Sequence, residues 1–313
     1  MPTSRQGAIR LFRFSGIDVF LHWSWFVVAV YEINGGFGVY SSISWRIAEY
    51  LCVFAIVTLH EFGHALACRQ VGGRANQIVL WPLGGVAYVD PPPRPGATLW
   101  SIAAGPLVNV ALFPVLFALG KLSGALGLYA ATPDLLQLLS AVYKINFYLL
   151  AFNILPIYPL DGGQILRSLL WFVLGRARSL LVATILGFVG VAAFIGLAFW
   201  TQSLWTGAIA VFMLMNCWSG LQHARALLRL DKLPRRAGFA CPACKAAPPV
   251  GDVWKCAHCA QSFDIFQHPG VCPVCGAQFP AVRCMECGAA NPLGEWAAPA
   301  SDVSSTFTSE VRR

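Results

Sequence analysis

The stretch Leu59-His60-Glu61-Phe62-Gly63-His64-Ala65 sits inside an apolar run, Ile47 to Ala67, that is long enough to cross a bilayer. Ionisable side chains are costly at that depth, so His60, Glu61 and His64 mark a functional site rather than packing. On a helix, His60 and His64 are one turn apart and aim both imidazoles at one point. Two such nitrogens suit a zinc ion. Glu61, one position along, is placed to act as base toward water at that metal.

The rest of the chain reads as membrane protein. Of its 313 residues 57% are hydrophobic and only 12% charged, against about 25% charged in soluble domains. The net charge of +8 is gathered beside apolar runs, as at the ends of membrane helices, and not in a nucleic-acid-binding block. Six spans are expected, at Gly16–Ile33, Ile47–Ala67, Ala97–Gly120, Leu135–Pro156, Ser179–Trp200 and Leu204–Leu221. The first carries Asp18 and Glu32 near its ends. Gln164–Leu174 is apolar but too short to cross, and reads as a half-helix or an interfacial helix. The amino terminus lacks an apolar run ending in a small-residue cleavage site, so no removable signal peptide is expected.

Basic residues set the orientation. With the amino terminus inside, Arg69, Arg74, Arg94, Arg167, Arg176, Arg178, Arg225 and Arg229 fall on the cytoplasmic side, against Arg46 and Lys121 outside. Both termini are then cytoplasmic, in the inner membrane if the cell is bacterial. Lys144 falls within the fourth span, where snorkelling and facing the bundle interior are both open. His60 precedes Arg69 by nine residues, which puts it roughly 13 Å below the surface. Water must reach that depth from the cytoplasm.

A catalytic zinc usually takes three protein ligands and keeps one position open. Asp161 is the leading candidate for the third. It lies in Phe152-Asn153-Ile154-Leu155-Pro156-Ile157-Tyr158-Pro159-Leu160-Asp161-Gly162-Gly163, where two prolines break regular helix and two glycines allow close backbone approach. Irregular backbone at the membrane edge is tolerated only when protein buries it or it lines a wet cavity. The stretches Ile78–Trp81 and Gly84–Val89 read as a short hairpin. Its edge could hold an unwound substrate by strand addition, or the loop could simply seal the bundle.

HEFGH on one span and N-x-x-P-x-x-P-L-D-G-G about a hundred residues later resemble the site-2 protease family of intramembrane zinc metalloproteases. The resemblance extends to Trp81-Pro82-Leu83-Gly84-Gly85 and to Ala104-Gly105-Pro106-Leu107-Val108-Asn109, and covers roughly residues 10–225. It implies His60, His64 and Asp161 as zinc ligands, Glu61 as catalytic base and Asn153 as a polar helper near the metal. Gly84 and Gly85 count as supporting residues. Asn109 reads as a hydrogen-bond strut, with an approach to substrate left open. A substrate that is itself a transmembrane helix in the lipid bilayer is implied by the resemblance alone.

After Leu230 the chain changes character. A short basic linker covers residues 231–240, separating a membrane domain over 1–230 from a cysteine-rich segment over 241–290. Cys241/Cys244, Cys256/Cys259, Cys272/Cys275 and Cys284/Cys287 form four C-x-x-C pairs. In a reducing cytoplasm they read as two structural zinc ribbons and not as disulfides. Sequential pairing is the simpler arrangement, with interleaved pairing left open. Only Lys245, Lys255 and Arg283 are basic between Cys241 and Cys287, too few for a phosphate-tracking surface, so a protein partner is favoured over nucleic acid. Residues 291–313 are expected to be a disordered tail. The fold class is thus an α-helical polytopic membrane protein with a small cytoplasmic zinc-ribbon domain, holding one catalytic and two structural zinc ions. A catalytically silent membrane adaptor whose ribbons bind a partner is the alternative reading. The intact Glu61 speaks for the enzyme.

Overall fold

The structure is a computed structural model and describes residues 7–35, 40–81 and 84–296. The chain divides into two compact units, Met1–Ala224 and Arg225–Arg313.

The first unit contains a sheet and a set of long helices. Strands β1 (Ala8–Phe14), β2 (Ile17–His22), β3 (Arg74–Trp81) and β4 (Gly84–Asp90) form one sheet in that order. β1 and β2 are antiparallel, as are β3 and β4, while β2 runs parallel to β3 with Leu21 opposite Leu80. The helices are α1 (Ser24–Gly35), α2 (Ile43–Gln70), α3 (Pro95–Ala125), α4 (Leu128–Ala131), α5 (Pro133–Asn153), α6 (Asp161–Thr201) and α7 (Leu204–Asp231). Among the described residues, α2, α3, α5, α6 and α7 are long and apolar enough to cross a membrane.

The expected first span is therefore corrected. Ile17–His22 is a strand, and α1 has only 12 residues. The reason is burial on both faces. Ile17, Val19, Phe20 and Leu21 are all buried, and a central strand covered on both sides loses the polar alternation that would betray it. Asp18 pairs with Arg10 of β1 at 2.8 Å, so it is a sheet residue and not a helix flank. The other five expected spans coincide with helices, and the short Gln164–Leu174 run is the first half of α6. Gly175, at φ 77° and ψ 171°, breaks α6 there.

α2 is buried on two sides. Val57, Phe62, Ala65 and Cys68 pack with Ile17, Val19 and Leu21 of β2 and Ala75, Ile78 and Leu80 of β3. His60, Glu61 and His64 are buried as well, beside α3. Gly63 makes that contact close, since a Cβ there would lie 2.7 Å from the Ala104 carbonyl oxygen. Lys144 is exposed on α5.

The second unit holds two short hairpins, β5 (Trp254–Lys255) with β6 (Ser262–Phe263) and β7 (Ala281–Arg283) with β8 (Ala290–Pro292). The stretch 231–240 is tied into this unit: Arg236 pairs with buried Asp264, Arg235 with Glu286 at 3.0 Å, and the Ala240 amide donates to Trp296 O at 2.8 Å. Order also runs past residue 290, because β8 is paired and Trp296 is buried against Phe266. The expected tail beyond Trp296 lies outside the described residues.

Candidate metal centres

α2 delivers His60 and His64, and the amino-terminal residue of α6 delivers Asp161. Their donor atoms form a small triangle. His60 Nε2 and His64 Nε2 are 3.1 Å apart, and Asp161 Oδ2 lies 3.0 Å from the first and 3.4 Å from the second. Ligands at about 2.0–2.1 Å in tetrahedral array stand about 3.3 Å from one another, so the triangle is the right size for one face of such a site. The other ring nitrogens fix the tautomers. His60 Nδ1–H donates to Asn109 Oδ1 at 2.6 Å and His64 Nδ1–H to the Ser101 carbonyl at 2.9 Å. Both Nε2 lone pairs are left facing the triangle, the arrangement a metal requires of histidine.

A second tier holds the first. Asn109 Nδ2 donates to Asn146 Oδ1 at 2.8 Å, and Asn146 Nδ2 donates back to the Asn109 carbonyl at 3.0 Å. Both asparagines are fully buried. Asn109 is thus a strut between α5 and His60. Asn146 and Ser101 escape sequence reasoning, although a lone asparagine in an apolar helix was the available signal for Asn146. Gly105 keeps the triangle clear, because a Cβ there would stand 2.3 Å from His64 Nε2 and 2.9 Å from His60 Nε2.

Glu61 points to the sheet. Its Oε2 accepts the Ala87 amide of β4 at 2.8 Å. Gly85 lets β4 come this near, for a Cβ there would lie 2.6 Å from Glu61 Cδ. β4 is the sheet's edge on that side. Gly84 opens it at φ 136°, a conformation glycine takes readily, while Pro82 and Leu83 lie outside the described residues. The loop before Asp161 folds tightly on itself: a Cβ on Gly162 would meet the Ile154 carbonyl at 2.1 Å. Asn153 closes α5, part-buried, and its side chain makes no hydrogen bond to the three donors.

In the second unit the cysteines gather as Cys241, Cys244, Cys284 and Cys287, and as Cys256, Cys259, Cys272 and Cys275. The outer pairs join and the inner pairs join. This nested arrangement replaces the sequential pairing the sequence favoured and the interleaved one it left open. The four C-x-x-C turns repeat one backbone pattern. The first cysteine's carbonyl accepts the amide four residues on, from Lys245, Ala260, Gly276 or Gly288. Those four residues all have positive φ. Sγ–Sγ distances of 3.5–3.7 Å within the quartets match the roughly 3.8 Å expected of thiolates at about 2.3 Å from one tetrahedral ion. The quartets also ask for a cation. The amides of Cys259 and His258 pull the Cys256 thiol down to about 6, while burial is the chief cause pushing Cys284 up to about 12. Four thiolates cannot share such a space without positive charge between them.

The model of peptidase family M50 matches residues 48–128 and 119–197. A zinc metalloprotease of Methanocaldococcus jannaschii is 33% identical over 180 residues, 58% of this chain and 50% of that protein. A putative zinc metalloprotease of Mycobacterium tuberculosis is 30% identical over 210 residues, 61% of this chain and 53% of that protein. The chain spans about half the length of these curated relatives. Among solved structures, the site-2 protease from Methanocaldococcus jannaschii superposes with a TM-score of 0.51 at 26% identity, covering 68% of this chain and 95% of that one.

Proposed function

The chain belongs to peptidase family M50, and from that premise we propose that it is an intramembrane zinc metalloprotease that hydrolyses a peptide bond in or near a transmembrane helix of a membrane-protein substrate. One observation carries the reading: three donors converge from α2 and α6, with Glu61 of α2 beside them and bonded to β4, the edge strand of the sheet. His60, His64 and Asp161 would hold the zinc. The ion would supply Lewis acidity toward a peptide carbonyl and toward water.

Everything else falls to the chain's own groups. Glu61 takes the proton from the attacking water and returns it to the leaving amine, so the proton balance closes on one carboxylate. The Ala87 amide holds Oε2 and leaves Oε1 to exchange that proton. β4 offers its edge to a substrate segment that has unwound, since helical backbone hides its carbonyls. Asn109 and the Ser101 carbonyl keep both imidazoles aimed at the metal. We place both termini in the cytoplasm on the distribution of arginines; a reporter after Leu230 should then behave as internal and one near Ser41 or Leu128 as external. The cysteine quartets would each hold a structural zinc, and the second unit would serve a protein contact.

The test separates base from ligand. Glu61→Gln keeps size and hydrogen bonding but accepts no proton, so the full chain should fold, retain zinc and lose about 10²–10⁴-fold in cleavage of a single-span substrate in liposomes. Asp161→Asn should weaken metal binding instead, because an amide is a poorer zinc ligand than a carboxylate. Cleavage by Glu61→Gln at the wild-type rate would remove the hydrolase reading.

A further inference from the structure

We infer that Arg167 and Arg176, gathered on Trp171 at the kink of α6, form a binding site for a phosphate group at the membrane boundary, carried by an anionic phospholipid or free in solution. Both guanidinium carbons lie over the Trp171 ring, at 5.9 and 5.8 Å from its centroid. His223 of α7 lies within electrostatic reach of both arginines, and the Tyr158 phenol within reach of Arg167. Two guanidinium groups of α6 thus lie over one indole, with His223 of α7 near them. No carboxylate lies within 4.0 Å of Arg167 among the described residues, whose salt bridges all involve other groups. Its Nε is moreover buried with no hydrogen-bond partner. Two guanidinium charges held over one ring repel, and the buried Arg167 N–H without an acceptor is costly. One oxyanion relieves both.

The place in the fold decides the kind of anion. Gly175 divides α6 into segments 161–174 and 176–201, of which only the second is long enough to cross a bilayer. Arg176 opens that crossing segment, so the kink lies at the polar boundary, where tryptophan is also at home. Lipid phosphates lie at the same level. A guanidinium fork matches two phosphate oxygens at once, and the Tyr158 hydroxyl adds a neutral donor. Arg167 and Trp171 lie on the same half-helix as Asp161, yet the occupancy of the cluster can be read without any assay of cleavage.

The test uses the full chain in nanodiscs of phosphatidylcholine containing a small fraction of phosphatidylglycerol, with retained lipid read by native mass spectrometry during delipidation. Phosphatidylglycerol should stay on the wild type, and Arg167→Gln or Arg176→Gln should reduce its retention by about tenfold or more. Arg167→Lys should keep part of it, since the charge survives while the fork is lost. Arg178 is exposed nearby, and Arg178→Gln should behave as wild type. Inorganic phosphate added to phosphatidylcholine-only discs distinguishes the source. A thermal shift that Arg167→Gln abolishes assigns a free anion, and retained phosphatidylglycerol without such a shift assigns the lipid. If Arg178→Gln loses as much lipid as Arg167→Gln, or if neither ligand distinguishes Arg167→Gln from wild type, the site does not exist. Zinc content measured on each variant shows that it has folded.

Discussion

The donor triangle in the membrane helices and the cysteine quartets of the second unit solve opposite problems with similar distances. The triangle brings together residues 101 positions apart, from two helices, and is held by hydrogen bonds that reach a third and fourth element. It supplies three donors and leaves a face open. Each quartet is made by two local turns whose backbone amides already favour thiolate, and it supplies four donors that close the shell. An open site must be made rigid by its surroundings, because the metal itself does not complete it. A closed one organises the surroundings instead. In a unit with so small a core, an ion held there would do the folding.

That contrast breaks most visibly when metal is withdrawn. Structural zinc contributes about 10–16 kcal/mol to the folding of small cysteine modules near neutral pH, so a strong chelator should unfold residues 241–296 while the long helices keep their circular dichroism. Protease sensitivity of the second unit, followed by mass spectrometry, is the measurement. Pairing can be broken by the same means. Cys241→Ser with Cys284→Ser should remove one zinc per chain, whereas Cys241→Ser with Cys256→Ser should remove two. Equal losses from the two double variants would contradict the nested quartets.

The open site is sharpened by two glycines with different neighbours. Gly85→Ala drives a Cβ to 2.6 Å from Glu61 Cδ, so β4 or the carboxylate must move. Misplacing a reacting group by about 1 Å costs on the order of 10²-fold in rate. Zinc should be retained. Gly105→Ala drives its Cβ against both histidine Nε2 atoms, and here zinc itself should be lost, the count per chain falling from about three to about two by ligand arithmetic. His60→Ala with His64→Ala should give the same count. Elemental analysis and a cleavage assay on one preparation separate the two glycines, and identical phenotypes would mean that base and ligands are not independently positioned.

The two sites were not equally legible in the sequence. His60, Glu61 and His64 stand out because hydrocarbon makes ionisable groups expensive, and Asp161 because two prolines and two glycines surround it. The half-helix before Gly175 was legible from length alone. β2 was not, since a strand buried on both faces lacks the polar alternation of a surface strand, and its one charge, Asp18, looks like the flank of a span. β1 was hidden by Arg10 and Arg13, which look like the flank of a span until Asp18 is seen to pair with them. The quartets announced themselves by spacing, but pairing is a tertiary fact. Local turns are identical in all four pairs and carry no information about which turn meets which. Asn146 was missed because one asparagine in an apolar helix has no partner until α3 is packed against it.

That last residue gives the finest test of how an open site is held. Asn146 touches neither metal donor nor substrate in this arrangement; it touches Asn109, which in turn holds His60. Asn109→Ala removes the acceptor of His60 Nδ1–H, and the loss of such a partner typically lowers metal affinity 10–100-fold. Asn146→Ala leaves that acceptor in place but strands the buried Asn109 side-chain amide, a deficit of about 1–3 kcal/mol. Its cost should therefore fall mainly on stability, with a smaller loss of zinc affinity, near the lower end of that range. Competition against a chelator of known affinity, run beside thermal unfolding, reads both quantities. If Asn146→Ala costs as much zinc affinity as Asn109→Ala, the asparagine pair acts as one ligand-orienting unit. If it costs none, Asn109 is held by α3 alone and the strut ends there.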